Sequence, residues 1–420
     1  MIERGSALGA SLERIRRDIE AIACFSSSRR GTGRLTFTLE YWAAVDYVAD
    51  QLGAIGYERR TTIHGNTRFR TRGADWDLPA VIVGSHLDAV PDGGRFDGVA
   101  GVVAGVEIAR LLAERGDATA RPYEVVVFAE EEGARFGRVL AGSKAMVGVL
   151  PLEALAEMKD SSGVGYLEAL GSSGQNAAAE RHDVLERGDI AAYFELHIEQ
   201  SLVLESARVP IGIVQAITGI RQYVISYEGT ANHAGATPMH LRSDSLAAAA
   251  EAILSVEKHA AGSVTGTTVG TVGRIVNGPN AANVISGRTE YSIDLRDTDV
   301  GALVEVSEST LASIREIAER RGLRADVRMT TTSDAVVLSP RLRRSLADVA
   351  ARLGVDYLEM PSGAAHDAQE IARIADAVML FVPSIGGRSH CPEEDTPYET
   401  VALGVDVIFE AVVQECGLGA

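Results

Sequence analysis

Short β-branched apolar runs, separated by stretches with helical apolar spacing, set the rhythm of this chain. Four runs, Ala80–Val83, Val125–Phe128, Ala191–Phe194 and Ala377–Val382, read as buried strands. Residues 7–23 and 39–54 read as helices, the second carrying Leu39, Trp42, Val45, Val48 and Leu52 at roughly helical spacing. After Asp97-Gly98, the stretch VAGVVAGVEIARLLAERG predicts a helix of small residues, stopped by Gly116, that packs closely on a sheet. Strand and helix alternate, which predicts an α/β fold in which helices flank a mixed sheet. Residues 161–187 are rich in Gly, Ser and Ala and predict a surface excursion of loop and short helix.

The texture changes near Pro210. Strands at Arg221–Tyr227, Thr267–Ile275 and Thr289–Leu295 alternate with helices at Ser243–Ala260 and Gly301–Arg320. That βαββαβ-like order predicts an inserted four-stranded α+β domain. The chain then returns through a helix near Pro340–Leu353, a turn and a strand. The expected organisation is a discontinuous catalytic domain, 1–212 and 329–420, around an inserted lid or dimerisation domain, 213–328.

Composition narrows the function classes. At 420 residues, 46% hydrophobic and 23% charged, the chain can build a sizeable core. A formal net charge of −18 argues against a nucleic-acid or anionic-membrane surface. No apolar run approaches the roughly 18–20 residues that span a bilayer. The opening MIERGSALGASLERIRRDIEAIACF lacks an uninterrupted apolar core, so no signal peptide is expected. Cys24, Cys391 and Cys416 form neither a disulfide framework nor a zinc-finger spacing, and so sparse a count suits a reducing, cytoplasmic setting.

The candidate chemistry lies just after the four apolar runs, and ligands gather at the carboxyl ends of strands in open α/β sheets. His86 follows the first run, and Asp88 can orient its imidazole by accepting the other ring N–H. Asp97 lies in DGGRFDG, where glycines let the backbone bring a carboxylate back toward His86; directly before a helix, it equally fits a cap. Glu130, Glu131 and Glu132 follow the second run and are costly to place unless cations or solvent meet them. Adjacent acids can divide labour, one binding a metal and its neighbour serving as general base; an exposed loop is the alternative. His197 follows the third run among Glu195, Glu199 and Gln200, and GGRSHCPEED supplies His390 after the fourth. His86, Asp97, Glu132, His197 and His390 are one ligand too many for a simple mononuclear site with open positions. They suit two divalent ions sharing a carboxylate.

GSHLDAVPDGGRFDG, EEEGARFG, ELHIEQ, GTANHAGATPM, SGAAHDAQ and the GG-SH element occur in this order along the chain. In this the chain resembles metallopeptidase family M20 over essentially its whole length. Within the family it resembles the hydantoinase/carbamoylase branch, which includes N-carbamoyl-L-amino acid hydrolases, allantoate and ureidoglycolate amidohydrolases and β-ureidopropionases. The resemblance implies that Asp97 bridges two metals, with His86 and His197 on one and Glu132 and His390 on the other. It implies that Glu131 is the base and that Asp88 orients His86. It assigns Gln200, His233, Asn283 and Arg296 to substrate binding, with Arg296 on the substrate carboxylate and His233 polarising the scissile carbonyl or holding its developing oxyanion across a homodimer interface. A histidine at 197 separates this branch from M20 peptidases and aminoacylases, which commonly place a carboxylate there.

The expected protein is a cytoplasmic amidohydrolase with two divalent ions (Zn, Mn, Co or Ni) per subunit. It would act on N-carbamoyl-L-amino acids or related ureido acids such as allantoate or ureidoglycolate. An M20 dipeptidase or aminoacylase is the rival. A non-enzymatic descendant would be expected to lack a ligand or Glu131, and none is missing. Three positions depart from the family pattern: Ser201, Arg388 and Cys391. They bear on the substrate side chain, where Arg388 could meet a second anionic group or simply face solvent.

Overall fold

The computed structural model describes residues 9–116, 119–172, 174 and 183–418. They divide into two units: Met1–Gln215 with Leu338–Met360 and Ala365–Ala420, and Ala216–Val337 with Pro361–Ala364.

The middle of the first unit's sheet is four parallel strands in the spatial order Ala377–Val382, Ile190–Ile198, Ala80–His86 and Tyr123–Phe128. AVIVGSH, YEVVVF and AVMLFV are buried throughout, the signature of strands covered on both faces. Antiparallel strands Thr67–Thr71 and Tyr57–Thr61 extend one side, and Ile211–Ile217 extends the other, so the sheet is mixed as expected. Their register aligns the carboxyl ends: His86 lies beside Phe128, and His197 beside Phe381.

Helix Val99–Arg115 is buried from Val99 to Leu112 and stops at left-handed Gly116. Its small residues permit the expected close approach. A Cβ at Gly101 would come 2.6 Å from the Leu196 carbonyl oxygen and 2.7 Å from the Ser85 Cβ. Helix Leu39–Gly53 buries Trp42, Val45, Val48 and Leu52, but Leu39 is 86% exposed. It occupies the first turn, away from the stripe that the later residues form. The first helix runs Leu12–Ala23 behind Ser11, whose Oγ accepts the Arg14 N–H. Residues 7 and 8 lie outside the described residues, as does much of 173–182; helix Tyr166–Ser172 falls in the described part of the expected excursion.

In the second unit, helices Ser245–Ala261 and Val300–Arg320 pack on a sheet. Tyr223, Ile225 and Tyr227 alternate inward from strand Gly219–Glu228, as Tyr291, Ile293 and Leu295 do from Arg288–Asp297. Strand Arg324–Ser333 completes one side. The single strand expected at Thr267–Ile275 is instead two, Val269–Thr271 and Ile275–Gly278, both paired with Arg288–Asp297. Gly270 and Gly273 give this edge segment little to pack, and Val269, Ile275 and Val276 stay exposed. Among the described residues, no helix is long and apolar enough to cross a membrane.

Candidate metal centre

The aligned strand ends bring two buried imidazoles to one carboxylate. His86 is the last residue of its strand, and its Nδ1 donates to the Asp88 carbonyl oxygen at 2.9 Å. His197 Nδ1 donates to the Ile198 carbonyl oxygen at 2.9 Å. A carbonyl only accepts, so both neutral rings carry their proton on Nδ1 and turn a bare Nε2 outward. Both lone pairs face Asp97 Oδ1, from 3.6 Å for His86 and 3.1 Å for His197. His197 Nε2 is buried without a hydrogen-bond partner. Asp97 is not a helix cap: Gly98 holds the N-cap position, with no side-chain bond.

Across the same carboxylate, His390 Nε2 lies 3.2 Å from Asp97 Oδ2 and 3.4 Å from Glu132 Oε2. Asp88 acts on His86 through its main chain rather than through its side chain, whose Oδ1 is 3.8 Å from the ring nitrogen. The Asp88 carboxylate instead accepts the N–H groups of Glu131 and Glu132, at 3.3 and 3.1 Å, fixing the acidic loop to the His86 strand. The three consecutive acids point to different tasks. Glu130 turns away and accepts the Arg135 and Phe136 N–H groups, Glu131 Oε2 comes within 3.6 Å of His86 Nε2, and Glu132 meets His390.

Ionisation reflects this crowding. Burial, then the charges of Glu132, Asp367 and Asp88, hold Glu131 well above the usual carboxylate range, although His86 opposes the shift. Burial and Asp97 push Glu132 up to about 7. Burial alone would raise Asp97, but the three imidazoles hold it well below its ordinary value. His390 is raised to about 9, chiefly by its bond to Asp97. Buried acids that resist ionisation beside imidazoles that seek protons describe a site short of positive charge. Bare Nε2 atoms and carboxylates suit a divalent ion. Two groups sharing Asp97 bring their ligand atoms within 4.8 Å of one another: His86 with Asp97 and His197, and Asp97 with Glu132 and His390. A third group, Glu195 with His197 and His366, is less open, because Ser85, Tyr193 and the Ala368 N–H already bond Glu195.

Gln200 has a left-handed backbone (φ 53°) and donates through Nε2 to Asp97 Oδ2 at 2.9 Å, leaving its buried Oε1 without a partner. His233, Asn283 and Arg296 belong to the second unit. There the N–H of Ala234, the residue after His233, donates to the Asn283 carbonyl. His233 Nδ1 accepts the N–H groups of Gly235 and Ala236, at 3.0 and 3.2 Å, so the neutral ring presents Nε2–H as a donor. Arg296 stands apart from them on its strand, gripped by Asp294 at 2.8 and 3.1 Å and donating to the Gly363 carbonyl at 2.6 Å. Ser201 Oγ binds Glu199, and Arg388 is exposed. Sequence reasoning passed over Ser389 and Glu394, both bonded into the Asp97 loop, and His366, whose ring is 4.5 Å from that of His197. The SGAAHDAQ motif was the available signal for His366.

Comparison with known proteins identifies the family. The pattern of peptidase family M20/M25/M40 matches residues 82–414. An N-carbamoyl-L-amino acid amidohydrolase from Geobacillus stearothermophilus is 40% identical over 91% of this chain and 93% of its own. An allantoate amidohydrolase from Bacillus subtilis (strain 168) is 36% identical over 93% and 95%. Among solved structures, a hydantoinase/carbamoylase family amidase from Burkholderia multivorans matches with a TM-score of 0.92 at 31% identity, covering 98% of this chain and 99% of that one. The chain therefore belongs to peptidase family M20/M25/M40, in its hydantoinase/carbamoylase branch.

Proposed function

We propose that this protein is a dinuclear metal-dependent amidohydrolase that cleaves the carbamoyl C–N bond of N-carbamoyl-L-amino acids. The observation that carries the reading is Asp97, with a free imidazole nitrogen on each side and an uncommitted acid, Glu131, beside His86. In this reading His86, Asp97 and His197 hold one ion, and Asp97, Glu132 and His390 the other. Bound there, divalent ions would polarise the ureido carbonyl and acidify water.

The chain's own groups do the rest. Glu131 takes the proton of the attacking water and returns it to the leaving amine, a role its environment favours by keeping the carboxyl easily protonated. Gln200 turns its unpaired Oε1 toward a ureido N–H. Arg296 binds the substrate carboxylate, with Asn283 contributing to the same recognition. The Nε2–H of the partner subunit's His233 meets the developing oxyanion. The inserted unit thus serves as lid and dimerisation surface, and the working form is a cytoplasmic homodimer. The carbamate released decomposes to ammonia and carbon dioxide, which drives the reaction forward.

An ammonia-release screen of the Mn-loaded enzyme tests this, using N-carbamoyl-L-amino acids, allantoate, ureidoglycolate and β-ureidopropionate. Turnover of an N-carbamoyl-L-amino acid is expected. Turnover of allantoate alone would move the substrate to that of the Bacillus subtilis relative, and silence across the panel would overturn the function.

A further inference from the structure

Several buried acids have no part in the reaction described above, and Glu394 is one of them. Glu394 is 2% exposed, and its carboxylate holds two loops that lie far apart in sequence. Oε1 accepts the N–H groups of Phe96, at 2.9 Å, and Asp97, at 3.1 Å. Oε2 meets Ser389 Oγ at 2.9 Å, and the same hydroxyl lies 3.0 Å from Asp97 Oδ2. Ser389 immediately precedes His390, a residue held in left-handed backbone (φ 55°). One carboxylate thus fixes the main chain behind Asp97 and the residue in front of His390. The opposing loop is shaped around it, since a Cβ on Gly94 would collide with the Glu394 carboxyl group. Outside this clamp, Arg95 and Asp395 join the same loops by an ion pair whose side chains are both more than 40% exposed. Such surface pairs contribute little.

Asp97 faces two ways. Its Oδ1 meets His86 and His197, which strands carry and main-chain carbonyls orient. Its Oδ2 meets His390, whose side chain is half exposed and whose loop lacks that support. We propose that Glu394 is the positioning residue for the His390 side of the centre, setting Asp97 Oδ2 and His390 in register so that the second divalent ion binds. The proposal rests on the two-ion reading given above. Partners behind metal ligands typically change affinity by about 10–100-fold. Glu394 would do so at one of the two positions.

Calorimetric titration of metal-free protein with Mn²⁺ tests this, with thermal unfolding followed in parallel. Glu394→Ala should weaken the second Mn²⁺ by about 10–100-fold while the first keeps close to its wild-type affinity. Gly94→Ala, which evicts the carboxylate without removing it, should do the same. Glu394→Gln should recover the second ion, because Oε1 still accepts both N–H groups and the new amide can donate to Ser389. Asp395→Asn should leave both ions unchanged. Unaltered binding of both ions in Glu394→Ala and Gly94→Ala would overturn the proposal. So would equal loss of both ions with a fallen unfolding midpoint that Glu394→Gln fails to restore. If the wild type takes up fewer than two ions, the two-ion reading fails and the clamp with it; two ions in the wild type, undisturbed in the variants, would sink the clamp alone.

Discussion

The buried strand edge of the first unit and the exposed polar residues of the second unit hold their polar groups in opposite ways. At the strand edge, His86, Asp88, Asp97 and His197 are buried, and a main-chain carbonyl fixes each of the two imidazoles with Nε2 toward Asp97. In the second unit, His233 and Asn283 are exposed and Arg296 is partly so. Each of the two charged or ionisable groups has a local lock of its own: two backbone N–H groups on the His233 ring, and the Asp294 carboxylate on the Arg296 fork. Desolvated groups resist ionisation and reward a cation, whereas exposed ones can give up water for a substrate and take it back. On the proposed reading, this contrast would separate chemistry from recognition. Damage to the first region should appear in metal content and kcat, and damage to the second in KM and substrate preference.

Removing metal is the largest blow to the first region. Chelation should abolish turnover, and Mn, Co, Ni or Zn should restore it; full activity in protein shown by elemental analysis to be metal-free would end the argument. Glu131→Gln should come next, losing about 10²–10⁴-fold in kcat with metal content kept. A variant with wild-type kcat would move the base elsewhere. His197→Ala should lower metal content and rate together, whereas an unchanged metal content would remove it from the ligand set. In the second region, Arg296→Lys should raise KM steeply for acid substrates, because a point charge cannot replace a planar fork. It should matter little for the matching amides, which should already be poor substrates of the wild type. Equal penalties on acid and amide would erase the distinction between the regions.

The smallest signal, and the one that joins the regions, comes from mixing two inactive proteins, His233→Ala and Glu131→Gln. If His233 acts in the partner, each mixed dimer keeps one complete site. Activity should then return to about half the wild-type rate per heterodimer, by counting sites of independent function. No recovery in heterodimers verified by mass would place His233 in its own subunit or outside the reaction.

Much of the strand edge was legible because a buried parallel strand must be apolar almost throughout, so His86 and His197 stand out where the apolar runs give way. The small-residue helix after Gly98 was legible for a similar reason, since only such residues allow the approach seen at Gly101. Side-chain direction was not. DGGRFDG fits a cap as well as a ligand, and HLD does not reveal that the Asp88 carbonyl, rather than its carboxylate, holds the imidazole. Glu394 was hidden by its neighbours. Within PEED it reads as one of three surface acids, and the N–H it accepts lies 298 residues away. Bonds of that span have no local signature. Leu39 shows the converse, an apolar residue in a plausible helical series that ends up in solvent.

The order of strands in the sheet carries a consequence for how the protein is made. Ala377–Val382 sits between Ile190–Ile198 and Ile211–Ile217, although the ribosome delivers it long after both. Until it arrives, two apolar strand edges lie open at the middle of the layer, and pairing so distant in sequence forms slowly. The nascent chain therefore passes through an interval in which its sticky interior is accessible, and this is when chaperone capture, aggregation or proteolysis competes with maturation. A product stalled before Ala377 would lack more than His390. It would leave the translation machinery with its central seam unclosed.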